Sequence, residues 1–276
     1  MPSPSDQLNA KAIEWNVTIK EMRETSTSLI AFGQRDESPV VLKISKQEGD
    51  ESQSGAVLSA FPEGAVKALE FETGAVLLER LEPGDPLVNL VRAGKDEEAT
   101  EILAQVMRKL AHHSAPNSCP TVSDWGRGFD CYLESADKQI PRELVVEARD
   151  LYQDLARSQR STMLLHGDLQ HYNALFDAER GWVAIDPKGV IGELEYEVGP
   201  ILRNPVEESD FFAKPEIVQR RLDYLVATLQ LDYQRTLSWS FAQAVLSTIW
   251  DVEDGYPLNQ DNPSLVLAHV LKPMVD

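Results

Sequence analysis

The stretch Leu164-Leu165-His166-Gly167-Asp168-Leu169-Gln170-His171-Tyr172-Asn173 sets a carboxylate and, five residues on, a carboxamide behind an apolar lead-in. Trp182-Val183-Ala184-Ile185 then delivers a second carboxylate, Asp186. A carboxylate beside an attacking hydroxyl, with oxygen ligands holding magnesium against phosphates, is what phosphoryl transfer needs. Asp168 suits the first role. Asn173 and Asp186 suit the second, because magnesium takes oxygen ligands and keeps waters or phosphate oxygens in its other positions. Each residue taken singly has a plainer reading: Asp and Asn as turn formers, His166 as a core histidine. A competing site of His166, Asp168 and His171 has ligand types for zinc, manganese or iron. His112-His113 with Cys119 reads as a helix end before a loop, not as a metal site.

These residues need elements to position them. Ala174-Leu175-Phe176 and Trp182-Val183-Ala184-Ile185 read as two short strands, joined by a turn at Asp177-Ala178-Glu179-Arg180-Gly181. Pairing them brings Asn173 and Asp186 side by side. Upstream, the pattern predicts a helix over 5–13 and strands over 15–22, 28–34 and 39–45, then a hairpin of 65–71 with 74–81. Lys43 sits inside the apolar run Val40-Val41-Leu42-Lys43-Ile44, a place where lysine needs a partner. Glu48 and Glu51 are the candidates, with Glu51 ahead because Leu58 and Phe61 continue an apolar helical face beyond it. Glu82-Pro83-Gly84-Asp85-Pro86 is expected to break the sheet as a hinge between lobes, and backbone groups at Glu79 and Leu81 to face an adenine. From Asp96 onward the spacing turns helical, with helices expected near 144–155, Pro215–Leu229 and 236–250.

The 276 residues suffice for two lobes, divided here into 1–82 and 83–276. A formal net charge of -19 repels phosphate backbones, which argues against nucleic acid; it would attract a cationic small molecule, or else simply aids solubility or reflects a saline cytoplasm. The opening Met1-Pro2-Ser3-Pro4-Ser5-Asp6 lacks the basic and apolar regions of a signal peptide, and no apolar run reaches membrane-spanning length. Two cysteines do not make a disulfide framework. The expectation is a cytoplasmic protein with no membrane partner.

Three segments carry a family resemblance: Leu77-Leu78-Glu79-Arg80-Leu81-Glu82-Pro83-Gly84, His166 to Asn173, and Ala184-Ile185-Asp186-Pro187-Lys188-Gly189-Val190-Ile191-Gly192. Together they resemble the aminoglycoside/hydroxyurea antibiotic resistance kinases, of the streptomycin 6-phosphotransferase type. The resemblance implies an α+β, two-lobed protein-kinase-like fold, with an antiparallel-sheet N-lobe that binds nucleotide and a mostly helical C-lobe that binds the acceptor. It implies an ATP- and Mg2+-dependent transfer of the γ-phosphate to an alcohol group of a small molecule such as streptomycin. By position in the family, Asp168 is the catalytic base, Asn173 and Asp186 are the magnesium ligands, and Lys43 anchors the phosphates. Ser26 and Thr27, in the turn Thr25-Ser26-Thr27-Ser28, would cover the phosphates in place of a glycine-rich loop, and Lys188 would neutralise the transferring group or stand idle. Glu197 stands where an Asp is expected in relatives. The carboxylates of Glu207-Glu208-Ser209-Asp210 and Asp251-Val252-Glu253-Asp254 lie where such kinases bind the acceptor; they would pair with a guanidinium or ammonium group there, or form a solvated acidic face. The alternatives are a kinase of another metabolite hydroxyl and a catalytically silent nucleotide-binding protein of the same fold.

Overall fold

A serine and a proline start the first element of the fold. Ser3 caps helix α1 (Pro4–Glu14): its hydroxyl accepts from the Asp6 N–H at 3.1 Å, and the Asp6 carboxylate accepts from the Ser3 N–H at 3.2 Å. The computed structural model describes residues 3–46, 50–61, 63–111, 115–116, 118–256, 258–259 and 261–275, and of Asp50, Glu51 and Ser209 the backbone alone. Asn16, at φ 56°, ends α1, so strand β1 (Thr18–Glu24) starts later than the sequence suggests. Strands β2 (Ser28–Arg35) and β3 (Ser38–Ser45) follow, then the short helix α2 (Ser54–Ala60), β4 (Ala68–Glu72) and β5 (Ala75–Glu79). They form one antiparallel sheet in the order β1-β2-β3-β5-β4. Along β3 the side chains alternate faces. Leu42 and Ile44 join Leu8 and Ala12 of α1 in an apolar core, while Val41 and Lys43 face a cleft on the other side.

The expected break at residues 82–86 is instead a strand, β6 (Pro83–Pro86), beside the hairpin that follows the candidate catalytic loop. It is an edge strand, where proline costs no ladder hydrogen bond. The flanking residues make the bonds: Ala178 donates to the Glu82 carbonyl at 2.8 Å, and Leu87 to the Ala174 carbonyl at 2.9 Å.

Helices α3 (Val88–Arg92), α4 (Asp96–Leu110), α5 (Val122–Trp125), α6 (Arg127–Glu134) and α7 (Arg142–Arg157) build the second lobe. Then come β7 (Met163–Leu165), the hairpin β8 (Ala174–Asp177) and β9 (Gly181–Ala184), and β10 (Val190–Gly192), which pairs with β7. Helices α8 (Val198–Leu202), α9 (Ser209–Phe212), α10 (Pro215–Leu229), α11 (Tyr233–Glu253) and α12 (Pro263–Val275) complete it. The middle of α11, from Thr236 to Ile249, is buried on every face, which makes it the axis of the large core. A third apolar cluster spans the lobes, joining Leu58, Val66 and Leu81 to Val183. No helix among the described residues is long and apolar enough to cross a membrane.

Candidate active site

β7 ends at Leu165, and the chain turns sharply through Gly167, whose φ of +82° suits glycine. A Cβ there would also meet the Trp125 ring at 2.8 Å, so conformation and packing both require glycine. The loop is braced from inside. His166 is buried, its Nε2 bonds the Ile185 carbonyl at 2.8 Å, and its Nδ1 accepts the Asp168 N–H at 3.3 Å. Burial holds its pKa below the usual histidine value, in keeping with a neutral ring that donates from Nε2. The Glu197 carboxylate accepts from the Gly167 N–H at 3.1 and 3.0 Å and from the Leu169 N–H at 3.2 Å. Glu197 therefore braces the loop from the place where an Asp was expected. Burial pushes its pKa up to about 7, against the pull of those amides.

Asp168 and Asn173 come together across the loop. The Asn173 amide nitrogen donates to the Asp168 carbonyl at 2.8 Å and to its carboxylate at 3.2 Å. Both partners are acceptors, so the nitrogen must face them and Oδ1 is left for another ligand. The Ile185 N–H donates to the Asn173 carbonyl at 2.9 Å, which draws Asp186 alongside Asn173 as the hairpin predicts. Asp186, at φ 58°, turns out of the strand and forms an ion pair with Lys43. One carboxamide oxygen and one carboxylate at adjacent hairpin ends fit a hard divalent cation such as magnesium. The rival three-residue metal site does not assemble. His171 is buried beside the Asp96–Arg221 ion pair, and no cluster of three His, Cys, Asp or Glu suited to a metal occurs among the described residues.

Lys43 and Asp186 sit in a cleft of about 470 Å³ between the sheet and the hairpin. Its walls are apolar: Ile30, Val41, Leu78 and Leu81 on one side, Leu175 and Ile185 on the other. At the end of β5, Glu79 and Arg80 spend their backbone N–H groups on Lys67 and Pro39, while no hydrogen bond among the described residues uses that of Leu81. The Glu79 side chain is taken up by the Lys67 N–H at 2.7 Å and by Arg180 at 2.8 Å. Ser26 and Thr27 lie in the β1–β2 turn, outside the cleft lining, and Thr25 rather than either of them closes that turn through the Ser28 N–H at 3.0 Å. Glu48 and the Glu51 side chain, the candidate partners of Lys43, lie outside the described residues, as do His112 and His113.

The sequence profile of the aminoglycoside/hydroxyurea antibiotic resistance kinase family matches residues 14–255. The chain belongs to this family. A streptomycin 3''-kinase of Klebsiella pneumoniae is 29% identical over 85% of this kinase and 88% of its own length. A streptomycin 6-kinase of Streptomyces griseus is 27% identical, over 76% and 70% respectively. A hydroxyurea phosphotransferase of Kitasatospora aureofaciens is 28% identical, over 80% and 64%. Among solved structures, the aminoglycoside phosphotransferase APH(4)-Ia with ADP and hygromycin B superposes with a TM-score of 0.65 at 14% identity, covering 96% of this chain and 97% of that one. The choline kinase LicA of Streptococcus pneumoniae does so with 0.65 at 13%, covering 98% and 99%. The fold of this kinase is thus the two-lobed protein-kinase-like one, and the chain is a phosphotransferase with an alcohol group as acceptor.

The kinase also places residues at the site that no motif announced. Arg203, at the end of α8, donates to the Asp168 carboxylate at 3.3 Å and through its other nitrogen to the Ser247 hydroxyl of α11. The base candidate is therefore held by Arg203 on one oxygen and Asn173 on the other. Tyr172 reaches the Glu207 carboxylate, and Arg92 reaches Tyr172 at 3.1 Å and Glu208 at 3.6 Å. Two of the acidic residues expected to meet the acceptor are thereby tied to the catalytic loop. Burial first, and then the Glu207 contact, push the Tyr172 phenol up to about 12, so it donates as a neutral hydroxyl. Lys188 lies with its ammonium 6.0 Å from the centre of the Trp250 ring and forms no ion pair among the described residues.

Proposed function

We propose that this kinase transfers the γ-phosphate of ATP to a hydroxyl group of an aminoglycoside, with streptomycin the first candidate, and that it requires magnesium. The observation carrying this reading is the run of neighbours from Lys43 and Asp186, which line the cleft, through Asn173 to Asp168. Phosphoryl transfer asks mainly for positioning and charge stabilisation, which such a cluster supplies. Magnesium, held by Asn173 Oδ1 and the Asp186 carboxylate, would offset the charge of the phosphates. Lys43 serves the same charge from the sheet, and Ser26 and Thr27 cover it from the β1–β2 turn. The apolar walls take the adenine, with the Leu81 N–H as its hydrogen-bond donor. Asp168, fixed by Arg203 and Asn173, orients the acceptor hydroxyl and takes its proton late in a loose transition state.

On this reading residues 1–82 hold the nucleotide and residues 83–276 hold the acceptor. The net charge of -19 favours a cationic acceptor over a nucleic acid, and the cytoplasm, where ATP is abundant, is its place of work. Incubating the protein with ATP, magnesium and a panel of small alcohols led by streptomycin, then weighing the products, tests the proposal. A phosphorylated streptomycin peak that disappears in Asp168→Asn is expected. Phosphorylation of a different alcohol would move the acceptor elsewhere. ATP binding without any product would make the chain a silent relative.

A further inference from the structure

The longest helix of the second lobe, α11, turns one face to the catalytic loop. Ser247 and Trp250, three residues apart, share that face. Ser247 holds Arg203, which holds Asp168. One turn further along, Trp250 meets Trp125 edge to face, with ring centres 5.5 Å apart and planes at 86°. Trp125 in turn packs over Gly167, beside the Lys188 Cβ. The Trp250 indole is thus one ring removed from the loop that carries Asp168, and a cation already lies over it: the ammonium of Lys188, 6.0 Å from the ring centre.

A lysine two residues beyond the proposed magnesium ligand Asp186, in a protein with 45 acidic residues, has many carboxylates with which it could pair. Lys188 has instead an aromatic face, a weak partner that an incoming anion outcompetes. We propose that the indole face of Trp250 is an acceptor subsite for a guanidinium or ammonium group, which Lys188 occupies until bound nucleotide draws its ammonium to the phosphates. The proposal rests on the reading of the chain as an ATP-dependent kinase of a cationic acceptor, and it names the place where that cation sits. It also couples the two substrates. Nucleotide binding uncovers the Trp250 face, and a cationic acceptor that takes the face leaves Lys188 at the phosphates.

The test separates the subsite from the identity of the acceptor. Methylguanidinium is titrated into the protein while the indole N–H resonances are followed, and the Trp250 signal is assigned as the one missing from Trp250→Leu. That signal is expected to shift on titration. The half-saturating concentration should fall several-fold in Lys188→Met, and fall likewise in wild type on adding a non-hydrolysable ATP analogue. In turnover with a cationic acceptor, Trp250→Leu should raise KM about tenfold, the scale of a desolvated cation–π contact. Lys188→Met should do the reverse, lowering kcat while KM falls. An unmoved Trp250 signal, or a half-saturation that Lys188→Met leaves unchanged or raises, overturns the inference. If Trp250→Leu does not fold, the Lys188→Met comparison decides alone, with the Trp250 signal assigned from Trp250→Phe. If streptomycin is no substrate yet the signal shifts as described, the acceptor assignment falls and the subsite stands.

Discussion

At Asp168 the structure arranges what a proton acceptor in phosphoryl transfer needs: a fixed rotamer and partners that leave one lone pair free on each oxygen. Asn173 and Arg203 take one lone pair each. Asp168→Asn keeps the shape and removes the charge and basicity. Nucleotide affinity should stay within a few-fold of wild type while single-turnover phosphorylation slows by about 10²- to 10⁴-fold, the usual range for a positioned base; equal turnover would remove Asp168 from its role. Glu197 gives a second residue-scale prediction, in stability. Its pKa is raised in the fold to about 7 by burial. Between its ordinary value near 4.5 and about 7 the folded chain therefore holds a proton that the unfolded chain releases. Its contribution to stability is full below that window and is lost as pH rises through it. The Tm of wild type relative to Glu197→Gln should accordingly decline from pH 5 to pH 8, with a flat difference contradicting the buried, raised carboxylate. The nearness of Asp168, Asn173 and Asp186 was legible from the sequence because one loop and one hairpin fix their spacing. Arg203 was not, because its position is set by the end of a helix far along the chain, and arginine at a helix end is common on any surface.

Elements were legible where their bounds were marked. The β8–β9 hairpin is two short apolar runs split by a turn with Gly181, and α10 begins at Pro215, so both could be placed from the sequence. β6 was hidden because two prolines argue against a strand, and only its partner β8, about ninety residues away, shows that it is an edge. α12 escaped notice because leucine and valine on several faces, with Pro273 inside, blur the helical period. The contact that joins lobes at the element scale is equally silent in sequence. Gly189, at φ +78°, lies against Val57 of α2, and a Cβ there would fall within the valine side chain. Gly189→Ala should therefore push α2 off the turn that follows Asp186, weakening nucleotide binding and lowering Tm. Adding Val57→Ala relieves the clash and leaves the backbone strain, roughly 1–3 kcal/mol. The double variant is expected to recover nucleotide affinity in part and stability only in part; recovery of neither would place the fault in the turn alone.

For the whole molecule the charge of -19 would, on the proposed function, act on nucleotide and cationic acceptor with opposite signs. A field of that size is felt beyond contact distance and fades within a Debye length, about 10 Å at 0.1 M salt and about 30 Å at 0.01 M. On the proposed function, a cationic acceptor would be drawn in by it and an anionic nucleotide held off, until Lys43 and a bound divalent cation reversed the sign locally in the cleft. Added salt screens both effects. The second-order rate constant for the acceptor, kcat/KM measured at saturating ATP and magnesium, should therefore fall as potassium chloride rises from about 20 to 300 mM, roughly the range over which the screening length passes from protein-sized to side-chain-sized. The constant for the magnesium nucleotide, measured at saturating acceptor, should rise over the same range. Local ion pairing at the acceptor site alone would lower the first without raising the second. No change in either would mean that the surface charge is a matter of solubility and steers neither substrate. A neutral alcohol, run as a third substrate, should show no salt dependence, which separates screening from any change in the chemical step.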